Sequence, residues 1–120
     1  MADLRIISQP LNDFSWITTV TGRMDSANFN VVEDEFNRLL ESRARAVAVD
    51  LSGLENISSS GMGAFINMAN ILRERGGKLA VFALSEDLIG LAEMLGVRDA
   101  IVVVANQDEA NRELAAIQQI

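Results

Sequence analysis

From Phe14 to Thr21 the chain alternates: Phe14, Trp16, Thr18 and Val20 interleave with Ser15, Ile17, Thr19 and Thr21. A period of two sends successive side chains to opposite faces of a strand. Leu4 to Ser8 reads as a second, shorter strand, and the turn-like Pro10-Leu11-Asn12-Asp13 between them predicts an antiparallel hairpin. After Gly22 the period lengthens. Phe29, Val32, Phe36, Leu39 and Leu40 recur at helical spacing, with Asp25 or Ser26 available to cap the orphan amides, so an amphipathic helix ending near Ser42 is expected.

The segment Ala46-Val47-Ala48-Val49-Asp50-Leu51 is apolar on both faces, as expected of a central strand covered on at least one side. Ser52-Gly53-Leu54-Glu55-Asn56 reads as a turn into a serine run, Ile57-Ser58-Ser59-Ser60-Gly61. From Gly61 the pattern is helical, with Met62, Phe65, Ile66, Ala69 and Leu72 on one stripe, until Gly76-Gly77 stops it. Lys78 to Ala83 forms another apolar strand. Ser85 caps a short helix carrying Leu88, Leu91, Ala92 and Leu95, which Gly96 ends, and Ile101 to Val104 is the remaining strand. Asn106 with Glu109 three residues on opens a last helix through Leu114 and Ile117. The order is β-β-α-β-α-β-α-β-α, and its strand-helix-strand units imply parallel pairing through right-handed crossovers. The expected fold is α/β: one mixed sheet of four to five strands with about four helices packed against it.

Composition narrows the chemistry. With 120 residues, 49% of them hydrophobic, the chain supports one core and is too short for two ordinary domains. It has no cysteine, which excludes disulfides and thiolate metal sites, and no histidine, which removes the commonest general base and transition-metal ligand. A net charge of -7 opposes binding to nucleic acid or an anionic membrane, so protein partners are expected. Met1-Ala2-Asp3-Leu4-Arg5 lacks the basic start and apolar run of a signal peptide, and no apolar stretch is long enough to span a bilayer, so a cytoplasmic location is expected.

The serine run is the candidate site. Ile57 to Gly63 lies between the carboxyl end of a central strand and the amino end of a helix, where open α/β sheets expose functional groups. Ser58, Ser59 and Ser60 supply hydroxyls, and the first helical amides supply unpaired donors with partial positive charge, which suits a phosphate. Gly61, Gly63 and Ala64 are small enough for another backbone to approach. On local features alone a plain helix cap explains these serines better, because serine is a leading cap residue. For Asp25, a cap and a partner contact weigh evenly. Met62 at this spacing fits a core position better than a recognition surface. Trp16 is read as sheet packing, and the acidic runs Glu33-Asp34-Glu35 and Glu86-Asp87 as solvated faces near helix starts.

The stretch Val49-Asp50-Leu51-Ser52-Gly53-Leu54-Glu55-Asn56-Ile57-Ser58-Ser59-Ser60-Gly61-Met62-Gly63 resembles the signature of STAS domains, the anti-sigma factor antagonist family. Thr21-Gly22-Arg23-Met24-Asp25 is similar to that family's Gly-x-x-Asp after the second strand, and Gly76-Gly77-Lys78-Leu79 to the approach to a later strand. The resemblance implies a single STAS domain over residues 1–120. By position it implies that Ser59 is the phosphoacceptor and Ser60 the following hydroxyl residue. It also puts Asp25 beside the switch, and Asp25, Ser58, Ser60, Gly61, Met62 and Gly63 at the partner-binding surface. Ser58 stands where the family usually has aspartate.

The resemblance further implies a regulatory binding protein and not an enzyme, with no cofactor of its own. The unphosphorylated form would bind an anti-sigma factor serine kinase of the histidine-kinase-like ATPase fold and so release the sigma factor. Phosphorylation of Ser59 would switch binding off, and a metal-dependent serine phosphatase would reset it. The alternative within the family is a non-switching STAS interaction subunit of a transporter or signalling scaffold. A hydrolase using Ser59 or Ser60 with Asp25 would have only a carboxylate or Lys78, the only lysine in the chain, as base. Nucleotide binding has little behind it, since Gly61-Met62-Gly63 is neither a dinucleotide fingerprint nor a P-loop.

Overall fold

In the computed structural model, which describes residues 4–94, 96 and 101–116, the alternating segments pair as the hairpin of β1 (Arg5–Pro10) and β2 (Ser15–Met24). Asn12 builds the turn: its Oδ1 accepts from Phe14 N–H at 3.0 Å and from Ser15 N–H at 2.8 Å. The chain continues through α1 (Phe29–Glu41), β3 (Ala46–Asp50), β4 (Leu54–Ile57), α2 (Ser59–Glu74), β5 (Lys78–Phe82), α3 (Glu86–Met94), β6 (Val102–Val104) and α4 (Gln107–Ala115). Leu95 and Ile117, expected on the last two helices, lie outside the described residues.

The sheet is mixed, in the order β1-β2-β3-β5-β6, with every pairing after the hairpin parallel. It has six strands because β4 pairs with the end of β2, where the sequence had suggested only a turn. Leu54 and Ile57 are buried and Glu55 and Asn56 exposed, so this strand carries no alternation to read. It exists because β2 runs on past Thr21, through an irregularity between Gly22 and Arg23, and offers it a ladder. Gly22, at φ 102°, supplies the backbone conformation that this bulge requires.

Alternation along β3 and β5 sorts the core into two layers. Val47, Val49, Leu79 and Val81 face α1, α2 and α3 in the larger cluster, where Phe36 and Phe65 meet edge to face at 5.6 Å. Ala46, Ala48, Ala80 and Phe82 face α4, whose Ala110 and Leu114 complete a smaller one. Trp16 packs with the larger cluster as expected, under the Arg38 guanidinium 5.6 Å from its ring centroid. Glu35 departs from the expected solvated run: it is half-buried and takes Arg38 Nε at 2.6 Å and Nη2 at 2.9 Å. That hydrogen bond, outweighing burial, holds its carboxyl below the ordinary range. Among the described residues no helix is long and apolar enough to cross a membrane.

Candidate functional site

The pairing of β2 with β4 assembles the site. Met24 lies opposite Ile57 in parallel register, and Ser58 N–H donates to Met24 O at 2.8 Å, so Asp25 and Ser58 leave the sheet side by side. Ser58 is extended, with φ -84° and ψ 169°, and its Oγ accepts from Gly61 N–H at 3.1 Å. Met62 N–H donates to Ser58 O at 2.9 Å, the first bond of α2. Ser58 is therefore the cap. The helix begins at Ser59, two residues before the Gly61 start suggested by periodicity, and Ser59 and Ser60 are its exposed first two residues. Their hydroxyls face solvent on a turn whose leading amides have no preceding helical carbonyls to bond.

The following three residues separate by environment. Gly61 is buried, and a Cβ there would stand 2.9 Å from Ile57 Cγ1 and 3.0 Å from both Met24 Cγ and Sδ. Met62 is 5% exposed and walls an apolar cavity of about 20 Å³ with Leu54, Ile57, Phe65 and Leu88, which puts its side chain in the core. Gly63 is exposed, and a Cβ there would meet nothing within 4 Å.

Asp25 is exposed and built into the approach to α1. Its Oδ1 accepts from Ala27 N–H at 2.9 Å and Asn28 N–H at 3.0 Å, while its own N–H donates to Asn28 Oδ1 at 2.8 Å. These reciprocal bonds have the logic of a capping box, with Asn28 in the place of the usual glutamate or glutamine. Asn28 Nδ2 also donates to Arg23 O at 2.9 Å, tying this turn back to β2. The sequence reading passed over Asn28; the Asp25-x-x-Asn28 spacing was the available signal. Met24 was missed as well, although its carbonyl anchors Ser58 and its side chain limits Gly61. Lys78, weighed above as a base, is engaged elsewhere, with Nζ 3.2 Å from Glu113 Oε1. Among the described residues no group of three or more His, Cys, Asp or Glu side chains could hold a metal ion.

An exposed serine on the first turn of a helix, capped by a second serine and set beside an aspartate, coincides with a match of residues 8–110 to the STAS domain model. The chain belongs to the STAS domain family. The anti-sigma-B factor antagonist of Listeria monocytogenes is 27% identical over 92 residues, spanning 77% of this chain and 81% of that protein. An anti-sigma factor antagonist from Mycobacterium paratuberculosis superposes with a TM-score of 0.84 at 17% identity, covering 94% of this chain and 95% of its own. The unphosphorylated form of the anti-sigma factor antagonist SpoIIAA gives 0.80 at 13% identity, over 96% of this chain and 100% of that one. SpoIIAA from Bacillus has also been solved in its phosphorylated form, which superposes at 0.71 and 11% identity over 90% and 98%. This STAS domain thus shares its fold with these three solved structures over 90–96% of its length.

Proposed function

We propose that this STAS domain is an anti-sigma factor antagonist whose partner binding is switched by phosphorylation of Ser59. The observation that carries the reading is the different use of the three serines. Ser58 spends its oxygen on the cap, whereas Ser59 and Ser60 stand exposed on the first turn of α2; between these two, position in the STAS signature selects Ser59. A phosphoryl group there adds roughly -1.5 to -2 charge at pH 7, enough to repel a complementary surface while the helix amides tolerate it within the fold.

The unphosphorylated face offers Ser59, Ser60, Gly63 and Asp25 to an anti-sigma factor serine kinase of the histidine-kinase-like ATPase fold, and the sigma factor which that kinase holds is released. Gly61 and Met62 contribute from beneath, by packing the helix start onto Met24 and Ile57. The kinase moves the γ-phosphoryl group of ATP to Ser59 Oγ, which loses its proton, and ADP leaves. A metal-dependent serine phosphatase returns the hydroxyl. The domain is a substrate throughout, and the nucleotide and metal belong to its partners.

Incubation with the cognate kinase and ATP, followed by mass spectrometric mapping, tests this. The native chain should gain one phosphate at Ser59, and Ser59→Ala should gain none. A native chain that gains none, or a Ser59→Ala chain modified equally, would refute the switch and leave a STAS subunit that only binds.

A further inference from the structure

We infer that Ser58 is a positioning residue for the phosphorylated state: a neutral cap that fixes the first turn of α2, sets no charge beside a Ser59 phosphate and offers it a hydroxyl donor. The inference rests on the reading of Ser59 as phosphoacceptor. A serine hydroxyl has one donor and two acceptor sites. At Ser58 one acceptor site is taken by Gly61 N–H at 3.1 Å, which leaves the proton to donate. The residue is half-buried and anchored through its own N–H to Met24 O at 2.8 Å, so its oxygen is held in place. Consecutive Cα atoms are about 3.8 Å apart, which allows a phosphate on Ser59 to come within roughly 6 Å of that oxygen.

A carboxylate at this position would serve Gly61 N–H as well, because aspartate and serine cap comparably. It would differ in two respects: it only accepts, and it carries a full charge. Like charges roughly 6 Å apart in water or partly screened surroundings shift a titration by about 0.5–1 pH unit. The charged groups on the elements flanking this turn are Arg23 on β2, Asp25 just after it, Glu55 on β4 and Glu33 on α1. All four are common to every variant below, so differences between variants isolate position 58.

The test installs phosphoserine cotranslationally at position 59 of the full chain and follows its second ionisation, ordinarily near pH 6, by phosphorus NMR. Ser58→Asp should raise the midpoint by about 0.5–1 unit over the native chain, while Ser58→Asn, a neutral cap, should stay within about 0.3 unit. Ser58→Gly, which caps adequately but has no hydroxyl, should raise it by a smaller amount and serves if Ser58→Asp does not fold. A residue that only caps predicts one midpoint for the native, Ser58→Asn and Ser58→Gly chains, and that result overturns the inference. Because no kinase takes part, the result is separate from whether the partner phosphorylates Ser59.

Discussion

Replacing Gly63 with alanine should strengthen the fold and weaken partner binding in the same molecule. Gly63 sits inside α2, where glycine costs about 1 kcal/mol relative to alanine. Nothing in the fold requires that cost, since a Cβ at this position meets no atom within 4 Å. Gly61, two residues earlier, is the internal control. There the same Cβ would press to 2.9 Å from Ile57 Cγ1 and 3.0 Å from Met24, both buried side chains. Overpacking of this kind costs about 1–3 kcal/mol, more than the helix gains. Gly63→Ala should thus gain about 0.5–1 kcal/mol and Gly61→Ala lose up to about 2 kcal/mol. With a urea slope of about 1–3 kcal/mol per molar, the midpoints move by roughly 0.5 M in opposite directions. Calorimetric titration with the cognate kinase should then show Gly63→Ala binding about tenfold more weakly, or about 1.4 kcal/mol. Equal stabilisation by both substitutions would contradict the packing at the helix start. Undiminished binding by Gly63→Ala would remove the reason offered here for a glycine at that position.

Met62→Ala, which enlarges the apolar cavity beneath the serine run, should cost about 2–4 kcal/mol by urea titration; a loss under about 0.5 kcal/mol would place that side chain outside the core. Ser15→Ala should be neutral or stabilising by up to about 1 kcal/mol, because Ser15 is 2% exposed and its buried hydroxyl oxygen has no hydrogen-bond partner among the described residues; clear destabilisation would reveal one. The Arg38 hydrogen bond lowers the Glu35 carboxyl in the folded state, so its stabilisation is complete above the ordinary glutamate value of about 4.3 and is lost as pH falls through the lowered folded value. Glu35→Gln should therefore lower stability at neutral pH and flatten its decline in acid, and an unchanged acid limb would contradict this.

Much of the fold was legible because periodicity and burial agree. The stripe Val32, Phe36 and Leu39 marks α1, and the apolar run Ala46–Asp50 marks a strand with helices on both faces. What could not be read depends on distant partners. β4 has no alternating pattern and becomes a strand only through the extension of β2, and the same ladder determines which serine caps α2, since Ser58 is held by Met24. Three adjacent serines carry no local signal that separates the cap from the exposed pair. The acidic run at Glu33 to Glu35 was read as solvated without regard to Arg38, the basic partner three residues after Glu35. The cap expected of Asp25 is displaced: its local bonds to Ala27 and Asn28 shape the turn before α1, whose cap position falls to Asn28, without a side-chain cap bond. The role of Ser59 came from the family resemblance, since local physics favoured no more than a helix start able to carry a phosphate.

The most direct test of the switch is the affinity of two forms of the full chain for the cognate anti-sigma factor kinase, measured side by side by calorimetry: the unmodified domain and the domain carrying phosphoserine at position 59. The switch predicts tight binding by the first and a loss of at least about tenfold by the second, a change of about 1.4 kcal/mol or more. Equal affinity for both forms would contradict it.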